Sequence, residues 1–418
     1  MTSYKREPDW HRFNLLMLSI LVASIAVAPR LVYTQTQDLK NIRLPDSQNP
    51  KAALVVGKLI GHDDFRDTYV YLQSGNYPIA ELSDSTPFRV LIYSPKYLEI
   101  SFKNRGLSNP IHPRRIIFRF FKNELGLITA MILEKVDYAV FRTETQAREI
   151  NRANPNIAII PMRAPPNNVQ MVIYNLRHPL FRHAEVRRAI SYAINKKKMV
   201  EELLENGGTV ARGSPFETDR PFYPRGVDSY NYQPKRAIEI LHKAGWRDSD
   251  GDGILEKGNL KLKFRLAFEM GVQLEEKIAR RIQLDLFDIG VEIIPMSYSK
   301  IELKQKYLND HFDAVLLENR FQESIDSLYQ FFASREKGFV KFYNKSFENL
   351  YRLSQRPGYA RQEVTLARQM QAILNRYCVA SFLFYRYYDY HLFNIRKLDN
   401  FYDEKKAVLK PFDVWIIK

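Results

Sequence analysis

Residues 169–200 read VQMVIYNLRHPLFRHAEVRRAISYAINKKKMV, and the order of patterns in that stretch decides the fold. Asn167–Leu176 is a β-branched, apolar run and predicts a strand. Downstream, Ala184–Gly208 carries Val186, Ile190, Ala193, Val200 and Leu204 on one helical face. That spacing predicts one helix, closed by the pair Gly207–Gly208. Within it, Lys196–Lys198 reads as a solvated face. A strand feeding directly into a helix is the unit from which α/β layers are built.

The same alternation extends both ways. Upstream, ALVVGKLIG and FRVLIYS read as strands, as does Arg114–Phe121. Glu124–Val136 reads as a helix, Asp137–Phe141 as a strand and Thr143–Ala153 as a helix. Downstream, Gln233–Trp246 is helical with Pro234 suited to its first turn. Leu260–Phe268 alternates as a strand, Gln273–Gly290 is an amphipathic helix and VEIIPMSY is a strand. Between the helix Gln233–Trp246 and the strand at Leu260 lies DSDGDGILEKGN (Asp248–Asn259), with aspartates at 248, 250 and 252. An EF-hand needs flanking helices and a glutamate at its twelfth position, where this loop has Asn259. The loop therefore reads as an Asx-rich turn leading into a strand and no metal site is assigned, with weak calcium binding by Asp248, Asp250 and Asp252 as the alternative.

Composition narrows the class. The 418 residues are 45% hydrophobic and 13% aromatic, enough to build cores. The net charge of +16 is spread along the chain, with no nucleic-acid-binding signature beside it. The one cysteine, Cys378, excludes an intrachain disulfide and sits in apolar NRYCVASFLFY, where a thiol packs as a small hydrophobe. P-loop, H-E-x-x-H and G-x-S-x-G motifs are absent. Paired carboxylates such as Glu201–Glu202 diverge on a helix and cannot flank one bond. The chain is read as a non-enzyme without catalytic residues or cofactor.

At the N-terminus, KREPDWHR (Lys5–Arg12) precedes the uncharged run Phe13–Ala28. Charge, a short apolar run and small residues at Ala26 and Ala28 form an export signal, whereas Pro29 disfavours cleavage. Residues 1–33 are therefore read as a signal peptide or membrane anchor, with 13–33 as the anchoring part and 34–50 as a linker. The remainder is expected outside the cytoplasm.

Several segments in order resemble family 5 extracellular solute-binding proteins, the oligopeptide, dipeptide and nickel group serving ABC importers. LEKVDYAVF (Leu133–Phe141) is similar to the family's L-x-G-x-V-D segment, with Lys135 departing from it. The opening stretch matches its "F-N, P-F, VR-A, A-I-[DN]-[KR]" signature at Asn175, Pro179, Val186, Arg187, Ala189, Ala193, Ile194, Asn195 and Lys196. ARGSPFET (Ala211–Thr218) resembles its proline-containing segment, and Tyr230–Gly258 resembles its "Y-D-P-x-K-A-x-x-L-L-x-x-A-G-W" helix with the acidic turn. The resemblance runs from about Arg114 to Lys418.

It implies an α/β, two-lobed fold of the periplasmic-binding-protein type II kind, hinged, with an N-terminal hydrophobic helix before it. Lobe I would take 51–166 and 386–418, and lobe II 167–385. The family's long N-terminal segments have no counterpart seen here, so lobe I should be reduced. The implied function is capture of peptide-like solutes outside the cytoplasm for ABC permease subunits of the inner membrane. A membrane-anchored degenerate binding fold with a structural or sensory role is the alternative. The family's "W-x-x-D-Y-x-D-P" segment, whose acid can meet a ligand amine, is missing from DAVLLENRFQESIDSLYQFFAS (Asp313–Ser334). Asn175, Glu323 and Asp326 are the candidate ligand contacts.

Overall fold

The computed structural model describes residues 54–59, 88–94, 97–102, 115–121 and 123–399 apart from 165 and 334–338, with three two-residue strands beyond. The predicted signal or anchor at 1–33 and the linker at 34–50 lie outside the described residues, as does much of the segment on which a reduced lobe I is expected. No helix among the described residues is long and apolar enough to cross a membrane.

Strands β1 (Leu54–Leu59), β2 (Phe88–Ser94), β3 (Tyr97–Phe102), β4 (Arg115–Phe121), β5 (Tyr138–Phe141) and β6 (Ile157–Arg163) join a late strand in one sheet. The second sheet draws on β7 (Asn168–Tyr174) and β8 (Gly208–Val210). A small hairpin, β9 (Glu256–Lys257) with β10 (Leu260–Lys261), precedes β11 (Lys263–Glu269), β12 (Glu292–Tyr298) and β13 (Ala314–Arg320). Last come β14 (Ala380–Arg386) and β15 (Tyr388–Asn394). The first sheet has the order β2-β3-β4-β1-β5-β15-β6 and the second β12-β11-β13-β7-β14-β8. Both are mixed: in the first, β1 pairs with β4 and β5 in parallel, whereas β15 runs antiparallel to β5 and β6. In the second, β11 pairs with β12 and β13 in parallel, whereas β7 runs antiparallel to β13 and β14.

The chain passes between the sheets twice, once between β6 and β7 and once at Tyr387 between β14 and β15. The crossings are bonded to each other, because Ala164 N donates to Tyr387 O at 2.7 Å. Tyr387 N in turn donates to Gly207 O at 2.8 Å.

β7 is buried along its whole length because both faces of its sheet are covered. On one face pack the helices Ala184–Ala193, Pro234–Lys243 and Gln273–Phe287, around Tyr174, Phe181, Phe264 and Trp246. On the other pack Ile325–Phe332, Lys345–Ser354 and Glu363–Tyr377, around Phe321, Phe331, Phe332 and Phe347. Each such ring removed from water contributes about 1.5–3 kcal/mol. Gly245, at φ +90°, lets Trp246 N reach back to Leu241 O at 3.0 Å, folding the tryptophan under its helix. The first sheet has its own core of Leu127, Met131, Phe141, Ile150 and Leu392.

Two local expectations are corrected. The single helix predicted over 184–208 is two, Ala184–Ala193 and Lys196–Leu203. Ile194 is extended, and the Asn195 side chain accepts from Lys198 N, starting a new helix. Gly208 opens β8 and does not cap a helix. Nor is Lys196 part of a solvated face. It is buried, its ammonium 3.4 Å from Ser229 O, and burial lowers its pKa to about 8. Lys197 and Lys198 do face solvent, beside Glu201 and Glu202. Cys378 is buried as expected, with Ser191 Oγ 3.1 Å from its sulfur.

Candidate functional site

The two sheets meet at the crossings, and several of their strands finish on charged residues. From the first sheet, Arg142 follows β5. Its guanidinium lies 3.7 Å from Glu275 and 3.6 Å from Glu318. Glu318, near the end of β13, takes a two-pronged pair from Arg386 of β14 at 2.8 and 3.1 Å. Arg386 also bonds Asp389 across the Tyr387 crossing. The Glu318–Arg386 pair is buried, and the pairing offsets the cost of taking both charges out of water.

Proton affinities follow the geometry. Burial alone would raise the Glu318 carboxyl, but Arg386 and Arg142 outweigh it and hold it below its usual value. Glu275 goes the other way, to about 8, through burial first and then the nearby charge of Glu269. His391 on β15, 2.6 Å from the Tyr138 hydroxyl, is lowered to about 4 by burial.

Polar side chains of β7 complete the floor. Register sets Gln170 opposite Glu318, and Asn168 opposite Arg320. Both amide atoms of Gln170, the Asn168 Oδ1 and one Arg142 nitrogen are buried without a hydrogen-bond partner. At and just after the second crossing stand Tyr387 and Tyr388, both exposed. The arrangement is a polar floor with aromatic margins, suited to holding a solute through hydrogen bonds and ring faces.

A second set of contacts bridges the sheets. Glu124, starting the helix Glu124–Ile132, accepts from Gln273 N at 2.9 Å and from the Gln146 amide at 2.8 Å. A carboxylate carried beneath the first sheet thus caps a helix packed on the second. Glu124 N also donates to Gly271 O at 3.1 Å.

The residues singled out from sequence are not brought together. Asn175 follows β7 at the end away from the crossing, its amide donating to Phe312 O at 2.9 Å and Asp310 O at 3.2 Å. Glu323 does lie by a crossing: Asn167 Nδ2 donates to it at 3.4 Å and Arg220 is 3.9 Å away. Asp326, in the first turn of its helix, accepts from Gln355 at 3.3 Å. Sequence reading missed Arg142, Glu275, Glu318 and Arg386. The available signal was a charged residue ending an otherwise apolar strand, as in AVLLENR and ASFLFYR.

In the DSDGDG loop, Asp248 accepts from Gly251 N at 2.8 Å and Gly253 N at 3.1 Å, and Asp252 from Ile254 N at 2.9 Å. Lys261 places its ammonium between Asp250 and Asp252. The turn is closed by its own backbone and a lysine. Carboxylates of Asp248, Asp250 and Glu256 do come within 4.8 Å of one another. A concavity of about 610 Å³ lies elsewhere, between Arg188, Tyr192, Arg236 and Arg376 on the second sheet's helices.

Comparison with known proteins gives the class. The profile of the bacterial extracellular solute-binding proteins, family 5 (middle), matches residues 62–339. This chain belongs to that family. The match begins upstream of Arg114, where the motif resemblance starts. The oligopeptide-binding protein AppA of Bacillus subtilis is 29% identical over 209 residues, 46% of this chain and 38% of that protein. The nickel-binding periplasmic protein of Escherichia coli is 30% identical over 142 residues, 34% of this chain and 27% of that one. The alignments thus span well under half of these relatives. Among solved structures, AppA of Bacillus subtilis with a nonapeptide superposes with a TM-score of 0.68 at 20% identity, covering 86% of this chain and 75% of that one. NikZ of Campylobacter jejuni with Ni(L-His) gives 0.65 at 18%, covering 76% and 64%. The fold is the two-lobed, type II periplasmic-binding-protein fold.

Proposed function

We propose that this protein is the substrate-binding component of an ABC-type importer, capturing oligopeptide-like solutes outside the cytoplasm without making or breaking covalent bonds. It would hand them to permease subunits of the inner membrane. The observation that carries the reading is the junction itself, where two mixed sheets are joined by two crossings beside buried polar side chains and exposed tyrosines. Such a hinge suits closure on a solute. In this reading lobe I takes 51–166 and 386–418 and lobe II takes 167–385, with residues 1–33 as signal or anchor. Of the three residues singled out from sequence, Glu323 is the one beside a crossing and is proposed as a ligand-facing acid. Asn175 and Asp326 have partners within or around the second sheet.

The test is thermal unfolding and intrinsic fluorescence of the exported chain with a peptide mixture. A ligand present at 100 times its Kd stabilises by about 2.7 kcal/mol. Neither stabilisation nor a fluorescence change with peptides from two to nine residues would remove the peptide reading.

A further inference from the structure

The concavity of about 610 Å³ on the second sheet's helices lies far from the junction. Arg376, which lines it, stands just before β14 opens at Ala380, whereas β14 reaches the junction only at Arg386. A strand of that length puts the concavity about 20 Å from the crossings. Its occupant is therefore not the solute of the junction. The volume falls within the range of pockets that take small organic molecules.

Three helices, from both faces of the sheet, bring positive charge to it. Arg188 and Tyr192 are one turn apart on Ala184–Ala193, and Arg236 and Lys243 two turns apart on Pro234–Lys243. Arg376 lies in the last turn of Glu363–Tyr377. Those spacings set each pair on one helical face, so both members reach the same hollow. Arg188 donates to Arg376 O at 2.7 Å, and the Arg236 guanidinium lies 4.2 Å from the centre of the Tyr192 ring, which fixes both arginines. Arg188, Lys243 and Arg376 form no ion pair among the described residues.

Two carboxylates share the lining, Asp228 and Glu239. Asp228 is engaged by the Tyr192 hydroxyl and lies 3.9 Å from Arg236. Glu239 alone then stands against the remaining cations. Behind the wall, buried Lys196 adds a further one. Its ammonium is 3.4 Å from Ser229 O, between the lining residues Asp228 and Tyr230, and it too forms no ion pair among the described residues. A hollow walled by one sign of charge concentrates ions of the other.

We propose that this concavity is a second binding site, for a small molecule carrying two or more negative charges, such as a phosphate ester or a polycarboxylate. Arg188, Lys243 and Arg376 take the anionic groups, the arginines by their planar forks and the lysine as a point charge. More than one charge is needed because the cations are spread: two turns of helix set Arg236 and Lys243 about 10 Å apart. A hollow of this size favours a small molecule over an acidic protein segment. The site is independent of the solute-binding reading of the junction.

The experiment is calorimetric titration of the full chain, at a fixed ionic strength of about 0.15 M, with tripolyphosphate, citrate, acetate and hexaglutamate. Tripolyphosphate or citrate should bind wild type with a Kd below about 1 mM, the tighter of them naming the anion's chemistry, and acetate should not bind. Lys243→Ala combined with Arg376→Ala, both at exposed positions, should weaken that binding about 10-fold or more through two lost charge-assisted contacts. Lys135→Ala combined with Arg152→Ala removes the same charge from exposed positions beside the first sheet and should leave the Kd unchanged. No binding of tripolyphosphate or citrate, an unaltered Kd in the first pair, or an equal loss in the second pair overturns the site. Binding of hexaglutamate alone, lost in the first pair, overturns the small-molecule assignment in favour of an acidic partner segment. Should the first pair fail to fold by circular dichroism, Lys243→Gln decides by the same comparison. Peptide binding at the junction should be equal in all variants, so failure here leaves that reading standing.

Discussion

Glu275 shows how single side chains are set by the company they keep. It accepts from Glu269 N at 2.9 Å, is buried at the start of its helix and holds its proton to about pH 8. The folded state then binds more protons than the unfolded one between pH 4.5 and 8, so stability falls as pH rises through that window. His391, lowered to about 4, binds fewer protons when folded and acts in the opposite sense between pH 4 and 6.5. The two oppose one another below pH 6.5; between 6.5 and 8 the Glu275 effect dominates, until the lowered Lys196 ammonium begins to act in the opposite sense near pH 8. Urea unfolding should therefore show a loss on the order of 1–2 kcal/mol between about pH 6.5 and 8. Glu275→Gln should abolish that loss, and a variant with the wild-type slope would show that Glu275 does not cause it.

At the scale of elements, the second sheet is held by rings and by close backbone contacts. Phe181 is fully buried, with ring centroids 4.9 Å from both Tyr174 and Phe264, so it ties the connection after β7 to β11. Phe181→Ala should cost about 3–5 kcal/mol, read as a lowered denaturation midpoint with unchanged m. Gly213 lies in the loop after β8 at φ +66°, and an added Cβ there would collide with Asp228 O and the Asn375 amide. Gly213→Ala should destabilise by about 1–3 kcal/mol, whereas a neutral result would mean that the loop can shift. Both effects belong to elements, because each residue acts by fixing a loop against a helix or strand.

On the scale of the whole molecule, the contact that matters is the Glu124 carboxylate of the first sheet's helix bonded to Gln273 N of the second's. It caps a helix only while the two halves stay together, so it favours the arrangement of the two halves seen here. Glu124→Ala should remove about 1 kcal/mol of that bias. Small-angle scattering of the ligand-free variant should then give a larger radius of gyration than wild type. Equal radii would assign the contact to the local helix alone.

Much of the architecture is legible in the amino-acid order. The strand at β7, the helices Glu144–Ala153, Pro234–Lys243 and Gln273–Phe287, and the turn at Asp248–Ile254 all follow from periodicity, caps and turn chemistry, which act over a few neighbouring residues. The break at Ile194 is not legible, since the apolar face continues through it and the alternative partner of Lys196, Ser229 O, is 33 residues away. The polar floor is equally hidden. Arg142, Glu275, Glu318 and Arg386 span residues 142–386 and look like unrelated surface charges in the sequence. Local order thus comes from the chain itself, because its causes lie within one or two turns. The candidate site comes only from the tertiary structure, because it exists where strand ends of two sheets meet, and burial there decides which charges pair.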